Sequence, residues 1–224
     1  MENENRNQSV CIVVLGDFGR SPRMQYHALS LANEGYHVDV VAYGGSKLHE
    51  DILSKQKISQ HLMADLPDFG RYFPRLLVYL LKVIWQSLIV LYTLFSLRRP
   101  GYVLVQNPPS IPTLPLVWFY CYLFPSCKMI VDWHNYGYTI LSLTLGECHL
   151  LVKLCKWCEG FFGAKAFGHF CVTKAMKHDL SAKWNINATV LYDRPSARFS
   201  SVTTEQSHNL FVKLMQQNSA FEPR

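Results

Sequence analysis

Apolar runs of strand length recur along the chain, separated by longer mixed segments. Residues 11–15 (CIVVL) are apolar on both faces, as a strand buried between two helical layers must be. Gly16 ends the run, and Gly16-Asp17-Phe18-Gly19 predicts a turn with two residues free to take positive φ. Ser21-Pro22 then predicts the N-cap and first position of a helix running to about Glu34. The theme repeats. Further strands are predicted over 37–42, 102–106, 129–133, 169–173 and 188–192, with a weaker one over 57–62. Helices are predicted over 148–164 and 174–183. Strands alternating with helices predict an α/β fold, a doubly wound parallel sheet.

Residues 75–97 break the pattern, being almost continuously apolar and long enough to cross a bilayer. Tyr79, Lys82, Gln86, Thr93 and Ser96 nevertheless fall roughly on one helical stripe, which a lipid-surrounded helix would not need. A strand of the same type as the first two follows at once, and a spanning helix would put strands of one sheet on opposite sides of a membrane. The expectation is a crossover helix partly embedded in the membrane interface. Arg71, Arg75, Arg98 and Arg99 at its two ends would meet anionic headgroups. Residues 111–125 are apolar too, but too short to span and interrupted by Pro112 and Pro115. The first nine residues are polar and are expected to be neither a signal peptide nor a membrane anchor, and beyond Pro195 only 210–215 is apolar. The predicted division is a polar tail over 1–9, a sheet domain over 10–195, and a linker or the start of another domain over 196–224.

Composition sharpens this. A hydrophobic fraction of 49% guarantees a substantial core, while only 17% charged residues points to a membrane surface or a partner domain. The net charge of +6 suits phosphate groups or lipid headgroups. Nucleic acid is disfavoured, because no Lys/Arg run is longer than Arg98-Arg99. The seven cysteines sit mostly in apolar runs and read as reduced and buried. Cys155-x-x-Cys158 has no second pair and no matching histidine spacing, so Cys148, Cys155 and Cys158 read as one packed helix face. No metal and no cofactor is expected.

In such sheets ligands bind outside the C-terminal ends of the strands. The first strand–loop–helix unit lacks both the G-x-G-x-x-G and the G-x-x-x-x-G-K-[ST] patterns, which disfavours a dinucleotide and leaves an anionic or hydroxyl-rich ligand. Arg20 and Arg23 add positive charge beside it. The other exits are Gly44-Gly45-Ser46, Asn107-Pro108-Pro109-Ser110, His134-Asn135-Tyr136-Gly137 and Thr173-Lys174. Amides, a histidine and small turn residues converging there suggest a sugar or phosphate site. Read alone, a histidine such as His134 is more often a satisfied structural one, and Asp132 could orient it or simply cap a turn.

The stretches LGDFGRSPRMQYHALSLA, QNPPSIPTLP, VDWHNYGYTIL and CVTKAMKHDL, in this order, resemble the chitobiosyldiphosphodolichol β-mannosyltransferases over residues 10–195. The resemblance implies a two-Rossmann GT-B glycosyltransferase of the dolichol pathway on the cytosolic face of the endoplasmic reticulum membrane, taking part in protein N-glycosylation. It implies β-1,4-transfer of mannose, with inversion, from GDP-mannose to dolichol-diphosphate-linked chitobiose. Other glycosyltransferases of that pathway are possible partners. An inverting transfer needs a general base. Carried onto this chain, Asp17 and His134 are the catalytic candidates. Gly16, Gly19, Arg20, Ser21, Arg23, Asn107, Asn135 and Gly137 are the acceptor-binding ones. Family members usually begin with a membrane anchor, and none is expected before residue 10 here. Its donor-binding half is also expected to be absent after Pro195, which leaves a catalytically silent module, binding acceptor and membrane, as the alternative.

Overall fold

The computed structural model describes residues 8–65, 74–195 and 199–218, apart from the side chains of Arg75 and Leu76. Seven strands form one parallel sheet: β1 (Ser9–Asp17), β2 (His37–Tyr43), β3 (Ile58–Leu62), β4 (Tyr102–Asn107), β5 (Lys128–Trp133), β6 (Gly168–Cys171) and β7 (Thr189–Val190). Their order is β3-β2-β1-β4-β5-β6-β7, so the chain reverses direction across the sheet between β1 and β4. That is the doubly wound arrangement expected, with its crevice at the C-terminal ends of those strands.

Alternating side chains divide each strand between two cores. Ile12, Val14, Val40, Ala42 and Leu104 pack with Met24 and Ala28 of helix α1 (Pro22–Asn33). On the other face, Cys11, Val13, Val103, Val105, Val131 and Trp133 meet three further helices. These contribute Val90 and Leu94 from α3 (Arg75–Ser96), Leu114, Val117 and Tyr120 from α4 (Thr113–Leu123), and Leu180 from α7 (Lys174–Trp184). Each fully buried Val or Leu contributes roughly 1.5–3 kcal/mol.

Several helices were not foreseen. They include α4, where only a proline-interrupted apolar run was read, and a helix over 204–217, together with the single turn α2 (Glu50–Leu53) and α5 (Gly137–Leu145), which has no buried residue and so no apolar stripe to announce it. Gly146, at φ 83°, ends α5 before α6 (Leu150–Gly163) begins with His149 as its N-cap. Cys148 therefore lies outside α6 and is exposed, against expectation, while Cys155 and Cys158 are buried in it. Strand β7 is also shorter than predicted.

Helix α3 lies against the sheet through Val90 and Leu94, and Trp85 Nε1 donates to the Ala64 carbonyl at 3.2 Å. Its flanking strands β3 and β4 belong to the same sheet, as a crossover helix requires. The stretch Leu77–Ser96 is long and apolar enough to span a membrane by length and composition, yet little of it is buried. Leu77, Leu80, Ile84, Leu88, Tyr92 and Phe95, spaced three or four apart, form an exposed apolar stripe. Of the arginines assigned to its ends, Arg98 and Arg99 are exposed and the Arg99 guanidinium caps the Phe124 ring at 4.2 Å. Arg71 and the Arg75 side chain lie outside the described part. A separate unit begins at Asp193 and contains α8 (Thr204–Gln217), started by a reciprocal cap between Thr203 and Gln206.

Candidate active site

The turn after β1 is built on a carboxylate. Asp17 Oδ1 accepts from the Gly19 amide at 2.9 Å, and Oδ2 accepts from the Ser46 amide at 2.9 Å and the Ser46 hydroxyl at 2.6 Å. The Ser46 hydroxyl is the largest influence holding this carboxyl below the usual range, which makes it a weak base. Neither Gly16 nor Gly19 takes a positive φ, contrary to expectation. Gly19 is needed for space, since a Cβ there would lie 2.6 Å from the Ser46 carbonyl oxygen. Gly16 falls where the β1–β2 pairing shifts register. Ser21 occupies the N-cap of α1, but its hydroxyl donates to the Asp17 carbonyl at 3.3 Å and makes no cap bond. Arg20 is exposed.

A second cluster joins the exits of β4 and β5. The fully buried Asn107 donates its amide to Glu159 Oε1 at 3.0 Å and to the Asn135 carbonyl at 3.2 Å. Gly137 donates its N–H to the same Glu159 oxygen at 2.7 Å. The first amide of α5 is thus already matched to an internal carboxylate. Burial pushes the Glu159 carboxyl upward, against the hydrogen bonds from Asn107 and from the Gly137 and Tyr138 amides. The Asn135 side chain remains exposed.

The third cluster centres on Asp132, which has no exposed surface. It lies on β5 with Ile130, on the face toward α1, and His134 two residues on keeps that side. Arg23 and His27, four apart on α1, share one helix face. The two periodicities meet at the carboxylate. Arg23 grips it with both arms, Nε to Oδ2 at 2.8 Å and Nη2 to Oδ1 at 2.9 Å, and its Nη1 donates to the Leu191 carbonyl at 2.6 Å. Oδ2 also meets Nε2 of His27 at 2.8 Å and Nε2 of His134 at 3.1 Å. Burial opposes ionisation, but the bonds from His134, His27 and Arg23 together outweigh it and hold the carboxyl far below the carboxylate range. His134 has 20% of its side chain exposed. His27 stacks on Phe170 at 5.8 Å and borders a largely apolar cavity of about 320 Å³ with Leu31, Tyr36 and Tyr102. Asp132 and His27 were not among the candidate site residues. The helix pair R-x-x-x-H opposite the strand pair D-x-H is the pattern that marks them.

No protein-family model matches the chain. Among solved structures, sucrose-phosphate synthase from Thermosynechococcus elongatus superposes with a TM-score of 0.63 at 10% identity, over 91% of this chain and 52% of that one. The UDP-glucose complex of UGT71G1 from Medicago truncatula gives 0.53 at 11% identity, over 97% and 59%. The fold is that of one Rossmann-like domain of a GT-B glycosyltransferase. Sequence carries further. The human chitobiosyldiphosphodolichol β-mannosyltransferase is 43% identical over 96% of this chain, and the mouse one 40% identical over 97%. Over the part that it spans, the chain belongs to the chitobiosyldiphosphodolichol β-mannosyltransferase family. The Arabidopsis thaliana relative, named UDP-glycosyltransferase TURAN, is 48% identical over 91%. The chain spans about half the length of these relatives, 44–46% of each. The three clusters lie at the C-terminal ends of β1, β4 and β5, three neighbouring strands of the sheet.

Proposed function

We propose that the chain forms the acceptor-side half of a β-1,4-mannosyltransferase acting in dolichol-linked oligosaccharide synthesis. Mannose passes from GDP-mannose to N,N′-diacetylchitobiosyl diphosphodolichol, at the cytosolic face of the endoplasmic reticulum membrane. The observation that carries this reading is His134 at the exit of β5, oriented by Asp132, in a chain 40–43% identical to mammalian β-mannosyltransferases. His134 is the general base, since its ring keeps some solvent exposure while the Asp17 carboxylate is already committed to three hydrogen bonds. In the transfer, the acceptor oxygen bonds to the mannose C1 as its proton passes to His134. The bond from C1 to the diphosphate breaks, with its electron pair leaving on GDP. Arg20 and the Ser21 end of α1 face the acceptor's diphosphate, Gly16 and Gly19 shape the loop behind them, and Asn107, Asn135 and Gly137 hold the opposite exit loops in place.

The donor's own diphosphate needs a second wall, and positioning both substrates supplies much of the rate. Loss of one electrostatic donor can cost about a hundredfold or more. The 224 residues alone are therefore expected to bind acceptor without transferring mannose, the silent-module reading. The test joins residues 10–195 to the remaining half of the mouse relative. The chimera should transfer mannose from GDP-mannose to a chitobiosyl-diphosphate lipid, and the chain alone should not. An inactive, folded chimera that also fails to bind the lipid would reject the reading.

Membrane association follows from the stripe on α3 together with Arg98 and Arg99. Apolar area placed in the interface, and about 1 kcal/mol for each basic residue near anionic headgroups, favour a peripheral attachment. The pathway's other glycosyltransferases are the partners this surface would bring near.

A further inference from the structure

We propose that Asp132 is a positioning residue for this transfer: it holds His134 in the tautomer protonated on Nε2, so that Nδ1 is the atom that receives the acceptor's proton. The inference rests on the reading of His134 as the base. The donor set around the carboxylate carries it. Oδ2 meets three nitrogens, Arg23 Nε at 2.8 Å, His27 Nε2 at 2.8 Å and His134 Nε2 at 3.1 Å, while Oδ1 takes Arg23 Nη2 at 2.9 Å. A carboxylate gripped by a guanidinium can only accept, so an imidazole nitrogen facing it must carry hydrogen. A neutral imidazole carries one N–H, and His134 therefore keeps its Nδ1 lone pair free. The other tautomer would set two acceptors against each other at 3.1 Å over a buried oxygen. Among the described residues no protein group bonds that Nδ1.

What Asp132 gives His134 is orientation more than charge. Its negative charge is already matched by Arg23 through two parallel bonds. When His134 takes up the proton the ring becomes imidazolium, its Nε2–H stays on Asp132, and the proton on Nδ1 departs to water once the product leaves. His27 makes the same kind of bond but is stacked on Phe170 beside the cavity, so it completes the carboxylate's shell without presenting a nitrogen at the strand exits.

The test reads tautomers directly. Chain labelled with ¹⁵N-histidine is examined by long-range ¹H–¹⁵N correlation under mildly alkaline conditions, with signals assigned through His134→Gln and His27→Gln. In the wild type, His134 should show a protonated Nε2 and a bare Nδ1. His27→Gln should leave that unchanged. Asp132→Asn, whose amide can point an N–H at the ring, should invert it, and Asp132→Glu should restore it. A chitobiosyl-diphosphate lipid in micelles should then move the Nδ1 resonance of the wild type but not of Asp132→Asn. A wild-type His134 protonated on Nδ1, or in Asp132→Asn an unaltered tautomer, overturns the proposal. The wild-type spectrum decides even where Asp132→Asn does not fold. The expected tautomer with an Nδ1 indifferent to bound lipid overturns the base reading and with it the role of Asp132, whereas the wrong tautomer overturns the positioning alone.

Discussion

Two buried carboxylates respond to pH in opposite senses. Asp132 is held ionised in the folded chain, so its contribution is complete above the unfolded value near 4 and is lost as pH falls toward its depressed folded value. Glu159 is pushed the other way by burial. The folded state favours its neutral form, and stability declines as pH rises from the unfolded value through the raised one. Urea unfolding across a pH series should show both limbs. Asp132→Asn should remove the acid limb, and Glu159→Gln should remove the decline at higher pH while keeping the bonds from Asn107 and Gly137. Asp132→Ala removes the buried carboxylate that takes two bonds from Arg23 and one from each of two histidines, and should cost about 3–5 kcal/mol. His134→Ala is a different kind of change. In the active chimera it should lower turnover by about 10²–10⁴-fold, the scale of general-base catalysis. Lipid binding, followed by titration into acceptor micelles, should barely move.

At the scale of elements, close packing of α6 against β5 and α7 rests on two glycines. A Cβ at Gly163 would lie 2.8 Å from the Trp133 ring, and one at Gly160 would lie 2.6 Å from Trp184 Nε1. Gly163→Ala should therefore destabilise by about 1–3 kcal/mol, read from the denaturation midpoint, because neither the ring nor the helix has room to yield. Helix α3 makes the contrary case, with its surplus apolar side chains outward. Replacing Leu80, Leu88 and Tyr92 with serine should leave the melting temperature nearly unchanged and abolish flotation with anionic vesicles. Carbonate should extract the wild-type chain. What the sequence made legible here followed burial. Strands apolar on both faces, such as β1 and β4, stood out, and so did α1 with Pro22 at its first position. Helix α5 did not, because none of its side chains is buried and no periodicity sets it apart from a loop.

On the scale of the whole molecule, alternation of strands and helices was enough to imply the parallel sheet, but not which helix face meets which strand. The site was legible by position and opaque by partner. His134 could be named from its place at a strand exit, yet the ion pair behind it joins residues 109 apart in the chain. Asn107 and Gly137 stand out in the sequence because they stand at exits, but nothing there showed that the Asn107 side-chain N–H and the Gly137 amide turn inward to Glu159, a helix residue that carried no local signal. Long-range pairs of this sort are invisible to local pattern. One of them reaches further still. Leu191, whose carbonyl takes the third nitrogen of Arg23, is the last residue but one before the chain leaves the sheet unit at Tyr192. A pull on the chain beyond that point bears first on this carbonyl, then on the guanidinium, then on Asp132. On the proposed reading of His134 as the base, a shift of Leu191 is thus a shift of the anchor behind the carboxylate that holds its ring.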